Sequence, residues 1–434
     1  MSHQITPGLS RLSSAAAAAG FVLFSLTAHA HPEGQEALQP RWEQAAPAHE
    51  RPLPPDPLMV GPVAWSVLAE PIHPVQGTDG RIHLQYELHL ANASRYTVHI
   101  DSIEVLDARH HHATGVNKGF STDGKDVTGK VRAFSLPVQE RTAVDYSDQM
   151  EPGQGGVAYF DVTYGRAHEV PRSLTHRIVA SFQLPSGERQ TYSVIGKAIP
   201  VSREQARVIA PPLSGDNWVN LNGGGEIIAA HRYTVQSTNG GLRPPEHFAI
   251  DFIRLDAQGH LYVGDPADLK NWFYYGSDIL SVADGRVVEV VDGRKDQIPG
   301  QRPTDLKADE YAGNYVIVDI GRGHYASYAH ILPNSIIVSK GDHVRQGQVL
   351  GKLGNSGNTD GPHLHFQVTD SASFLNTNGL PFVFSRMDYQ GHFEGTLDTV
   401  GEALFTGKTS SIDTSGAGNR RVQMPLTLDL FKFE

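Results

Sequence analysis

Residues Gly357–Asp370 read GNTDGPHLHFQVTD, placing His363 and His365 one residue apart ahead of Phe366, Gln367 and Val368. If HLHFQV is a strand, side chains alternate and residues i and i+2 share a face, with backbones about 6.6 Å apart. Both imidazoles then point into one space, which suits one ring on a metal and one working beside it. Spacing alone does not decide this. The chain has 22 histidines in 434 residues, and the same H-x-H pattern occurs at His29/His31 and His110/His112. The first pair straddles a leader cleavage site, and the second sits in the loop-like ARHHHATG. Partners for His363 and His365 have to come from elsewhere in the chain.

The composition narrows the chemistry. There is no cysteine, so a transition-metal site must be built from histidine and carboxylates, and disulfides are excluded. A formal charge of −11 makes nucleic acid and anionic membrane surfaces poor partners, since both favour basic patches. Residues 1–30 have the anatomy of a secretory signal peptide: Arg11, an apolar run from Ala15 to Leu26, then Ala28-His29-Ala30. The apolar run is too short to span a bilayer, which takes roughly 20 residues. The expectation is an exported protein, periplasmic or secreted, with no integral membrane segment once the leader is removed.

Residues 31–58, rich in Pro, Ala, Glu and Gln, read as a linker. Residues 59–200 are short alternating runs such as RIHLQYELHLANAS and HRIVASFQL, broken by PGQGG and PSGE. That is the pattern of an immunoglobulin-like β-sandwich. After a boundary near residues 201–218, residues 210–390 form a second β-rich domain with many glycines. Residues 391–434 are a Gly/Ser-containing tail ending in the strand-like VQMPLTLDLFKFE. The fold class is mostly β.

Two further elements of the second domain carry chemistry. His247 in PPEHFAIDF is the one histidine followed four residues later by aspartate, Asp251. In a straight strand, i and i+4 lie about 13 Å apart, so the backbone must bend near Phe248–Ala249 if both are to hold one ion. The second element is YASYAHI, where His330 stands at the end of a run that follows NYVIVDIG.

Together, HFAID, VADGRVVEV, GNYVIVDIG, YAHI, KGDHVRQGQVLGKLGNSG and GPHLHFQV, in that order, resemble the lysostaphin/LytM-type zinc metallopeptidases that cut peptide cross-links in bacterial cell walls. The resemblance spans Glu246 to Asp370. It implies one Zn2+ per chain held by His247, Asp251 and His365, with His330 and His363 as catalytic histidines and peptidoglycan stem peptides as substrate. One departure stands out: the family has glycine two residues after its first ligand, where this chain has Ala249, and His231 in AAHRYTV is an alternative ligand. Two imidazoles and one carboxylate would leave zinc a net positive charge, lowering the pKa of bound water. No H-E-x-x-H glutamate is present, so histidine must serve as the base. The glycine-rich GNSGNTDG opens a strand and not a helix, which makes it a structural loop beside the site. Competing expectations are a non-catalytic wall-binding or hydrolase-activating relative, and an exported peptidase acting on protein.

Overall fold

A computed structural model describes residues 59–117, 133–134, 146–226 and 229–434. The leader and the linker expected at residues 1–58 lie outside the described residues. Among those described, no helix is long and apolar enough to cross a membrane.

The N-terminal part is two antiparallel sheets over one core. Strands Val63–Val67, Ile82–Asn92 and Gly155–Tyr164 lie side by side in the first sheet. In the second, Val98–Asp107, Ser173–Gln183 and Arg189–Ile195 are neighbours. Leu84, Tyr86, Leu88 and Leu90 alternate inward from strand Ile82–Asn92 to meet Ile103, Phe160, Leu174 and Ile178, as period-2 patterning requires. The alternate positions Gln85 and Glu87 should then face water. They are instead only 3% and 1% exposed, because the C-terminal part covers that face. Val157 and Tyr159 meet Val235 there, and Val75 meets Phe248, Met424 and Leu426.

The C-terminal part is built on an eleven-stranded sheet. Its central run is Gly285–Val291, Tyr315–Asp319, Tyr325–Ala329, Leu364–Thr369, Ile250–Arg254, Gly215–Asn220, Asp429–Phe433 and Met387–Phe393. All these neighbours are antiparallel. Leu364–Thr369, the strand of the opening stretch, lies in the middle and is buried throughout. Its even positions pack apolar: Phe366 stacks edge-on against Phe382 at 5.2 Å and lies 5.2 Å from Tyr328. Truncating a fully buried phenylalanine such as this costs about 3–5 kcal/mol, so the strand is fixed from the face opposite its histidines.

Residues 391–434, expected as a tail with a terminal strand, complete this sheet. Asp429–Phe433 inserts between Gly215–Asn220 and Met387–Phe393, with Phe431 and Phe433 fully buried. Leu397–Phe405 is an α-helix capped by Thr396, whose hydroxyl accepts from the Thr399 N–H at 3.2 Å. Its Val400 and Leu404 are buried in the main core. The expected loop around His110–His112 is a turn with all three rings exposed.

Candidate metal and catalytic site

Strand register brings the first two site residues together. Asp251 pairs directly with His365, and His365 pairs on its other side with Ala329. Directly opposed residues in antiparallel strands have Cα atoms about 4.5–5.5 Å apart. Asp251 Oδ1 is accordingly 3.0 Å from His365 Nδ1. His330 is one residue beyond the end of strand Tyr325–Ala329 and has a left-handed backbone, φ 61°, a conformation that is strained for a residue with a Cβ. The turn swings its ring back over the strand, 4.6 Å from the His363 ring and 5.8 Å from that of His365, centroid to centroid.

The glycine-rich loop holds this arrangement. Gly357 has φ 85°, and a Cβ there would lie 2.3 Å from the Gly313 nitrogen; one at Gly354 would lie 2.4 Å from the Leu332 nitrogen. Only glycine allows such backbone-on-backbone contact. The loop thereby delivers the Ser356 carbonyl to His330 Nδ1 at 2.7 Å. The expectation of a structural loop beside the site holds, with a defined task for it.

His247 is not where the H-x-x-x-D spacing suggested. The chain bends as required, with the Ala249 N–H donating to the Glu246 carbonyl, but the His247 ring faces Glu87 and is not among the groups clustered with Asp251. Its Nδ1 lies 3.2 Å from Oε2 of Glu87 in the N-terminal sandwich. The physical reason is that carboxylate, 1% exposed, which needs donors to offset its burial. Alanine at 249 takes an ordinary φ, being absent from the left-handed residues. Its carbonyl accepts from His231 Nδ1 at 3.1 Å, and His231 stands in the place expected of His247. Its Nε2 is 3.3 Å from Asp251 Oδ2. Among the described residues, His231, Asp251 and His365 form the group whose ligand atoms all lie within 4.8 Å of one another.

The hydrogen bonds around these rings assign their tautomers. His231 gives its Nδ1–H to the Ala249 carbonyl and His365 gives its Nε2–H to Gln367 Oε1 at 3.1 Å. The other nitrogens, His231 Nε2 and His365 Nδ1, face the Asp251 carboxylate at 3.3 and 3.0 Å. Burial would lower His231, but Asp251 outweighs it and raises the ring to about 9. Metal binding would displace the protons held there and take the two lone pairs. His330 and His363 donate from Nδ1 to the Ser356 and Gly361 carbonyls, at 2.7 and 2.8 Å, so both keep a lone pair at Nε2. Asn222 Nδ2 donates to Asp251 Oδ2 at 3.0 Å. Second partners of this kind orient metal ligands and raise their basicity. The donor set therefore fits a zinc ion: two imidazole nitrogens and one carboxylate, each with its second atom already occupied.

Electrostatics separate the roles. Burial lowers the affinity of His330 for a proton, and the nearby His363 and His365 add to this, holding it well below the ordinary imidazole value. Burial also lowers His363, although Asp251 opposes it. Both rings are thus neutral and proton-accepting at neutral pH. Asp251 stays well below the usual carboxylate range: burial would raise it, but His231 and His363 outweigh that cost.

Asn222, Gln367, Phe374 and the Ser356 carbonyl were not singled out by sequence reasoning. Gln367 had a usable signal, being two residues beyond His365 on the same strand face. Phe374, whose ring lies 5.5 Å from that of His365 and 5.8 Å from Tyr315, had none.

Residues 272–377 match the profile of Peptidase family M23. That stretch contains His330, His363 and His365 and begins beyond both Asp251 and the two competing histidines. Over 58 residues the chain is 43% identical to peptidoglycan DD-endopeptidase ShyA of Vibrio cholerae, covering 13% of each protein. It is 31% identical over 93 residues to peptidoglycan DD-endopeptidase ShyB of the same organism, covering 21% of this chain and 18% of that one. The matched stretches thus span less than a fifth of these relatives. Among solved structures, the catalytic domain of lysostaphin from Staphylococcus simulans aligns over 33% of this chain and 80% of that one. The identity is 23% and the TM-score 0.20.

Proposed function

We propose that the chain is an exported zinc endopeptidase that hydrolyses peptide cross-links of bacterial peptidoglycan. In this reading His231, Asp251 and His365 hold the metal, and His330 and His363 perform acid–base catalysis. The observation that carries the reading is the set of four imidazoles, each with one nitrogen tied to an oxygen acceptor, of which three bring the other nitrogen within 3.5 Å of the Asp251 carboxylate. The M23 match and the peptidoglycan DD-endopeptidase names of the relatives support the substrate class, and the leader-like residues 1–30 support export.

A zinc ion held there would supply Lewis acidity, acidifying a water and polarising the scissile carbonyl. The histidines handle the protons. Neutral Nε2 atoms on His330 and His363 can accept the proton of the attacking water. The resulting imidazolium can then donate to the developing oxyanion or to the leaving amine. Asp251 Oδ1, 3.5 Å from His363 Nε2, favours the protonated form when it arises. The Ser356 and Gly361 carbonyls fix which nitrogen does this work.

Purified protein incubated with cross-linked muropeptides and read by mass spectrometry tests the proposal. Cross-linked dimers should fall to monomers in the parent and persist with His363→Ala. A folded, zinc-loaded parent that leaves every cross-link intact would refute it.

A further inference from the structure

The segment carrying His231 is a single 3-10 turn, Ala230–Tyr233, whose N-terminal residue makes no side-chain cap hydrogen bond. One such turn cannot hold itself in place. The next residue, Arg232, is fully buried and ties the turn to the N-terminal sandwich. Its Nε lies 3.0 Å from Glu87 Oε1, and Nη2 donates to the Tyr86 and Phe160 carbonyls at 3.3 Å each. Its guanidinium sits 5.7 Å from the Tyr159 ring centre, and Tyr159 in turn packs on Tyr233 at 5.0 Å. Within its own half of the molecule, Arg232 donates to the Gly225 carbonyl. The second oxygen of Glu87 holds His247.

We propose that Glu87 is a positioning residue of the metal centre: gripping Arg232 and His247 together, it sets the direction of the His231 imidazole and keeps His247 away from Asp251. This rests on the reading of His231 as a ligand. It gives the sandwich a role in building the site, in addition to covering the C-terminal half. A carboxylate is suited to the task because one oxygen forms an ion pair with the guanidinium and the other lies against the ring. Buried as they are, the three groups have few alternative partners, so the geometry is held tightly.

The test measures zinc affinity by chelator competition and records the visible spectrum of the cobalt(II)-substituted chain, which reports ligand geometry whether or not the enzyme turns over. Glu87→Gln should weaken zinc about 10- to 100-fold, the range for losing a partner that orients a ligand, and should alter the cobalt spectrum. Val75→Ala loosens the same interface at a separate apolar patch and should leave both readouts at parent values. Arg232→Lys keeps the charge but loses the planar fork. It should reproduce Glu87→Gln, and it decides the matter should Glu87→Gln fail to fold. Parent-like zinc affinity and spectrum in the folded clamp variant overturn the proposal. So does an equal loss in Val75→Ala, which would make general docking responsible. His231→Gln separates the two levels of the argument. If it keeps zinc, the ligand reading fails; if it loses zinc while the clamp variants do not, only the role of Glu87 fails.

Discussion

Gln367→Leu removes the acceptor that fixes the tautomer of His365 while nearly preserving side-chain shape. In the parent, Gln367 Oε1 takes the His365 Nε2–H at 3.1 Å, and the Gln367 amide nitrogen is itself buried without a hydrogen-bond partner. Leucine therefore leaves one buried N–H unsatisfied, at a cost of about 1–3 kcal/mol, and relieves another of similar size. Those terms nearly cancel, so the metal-free protein should melt within a few degrees of the parent. Zinc binding has no such cancellation. With nothing holding the proton at Nε2, the ring can place it at Nδ1, the atom facing Asp251, and affinity should fall about 10- to 100-fold. Chelator competition reads the affinity and calorimetry reads the stability. Unchanged zinc affinity in Gln367→Leu would refute the tautomer argument. So would a large stability loss, because the two buried terms would not then cancel.

Further consequences concern the catalytic pair, the glycine loop and pH. His330→Ala and His363→Ala should each keep zinc yet lose about 10²- to 10⁴-fold in kcat, the usual worth of a positioned acid–base group; zinc analysis beside muropeptide turnover checks this. Gly357→Ala places a Cβ 2.3 Å from the Gly313 nitrogen at a φ of 85°, so a melting point lowered by several degrees and reduced turnover are expected together. Burial and the nearby Asp161 and Asp429 raise the Glu226 carboxyl to about 7 from its ordinary value of 4.5. The folded state then holds this proton more tightly than the unfolded chain, so stability falls as pH rises from 4.5 through 7. Glu226→Gln should match the parent in thermal melts below that window and exceed it above.

The sequence revealed the site unevenly, for reasons particular residues make plain. His363 and His365 were legible from their H-x-H spacing, although His363 lies one residue ahead of strand Leu364–Thr369, and the pairing of Asp251 with His365 follows from ordinary register. The sheet-completing strand Asp429–Phe433 was visible as a β-rich run, but not its position deep in the sheet. The assignment of His247 assumed that local spacing controls the ring. Its direction is instead set by Glu87, a residue remote in sequence and expected on a solvent-facing strand position. The same carboxylate anchors Arg232 and so brings in His231, whose AAHRY context has no motif of its own. Burial of the sandwich's outer face was the missing fact, because alternation in strand Ile82–Asn92 looks the same whether that face meets water or protein.

The most direct measurement is the zinc content of the purified parent beside His231→Ala, His247→Ala and His365→Ala, each confirmed as folded by calorimetry. About one zinc per chain in the parent and in His247→Ala, lost in the other two, is the predicted result, matching three protein ligands around a single ion. Zinc retained by His231→Ala and lost by His247→Ala would contradict the account. It would return the first ligand to the H-x-x-x-D pair and leave the grip of Glu87 on Arg232 without a part in metal binding.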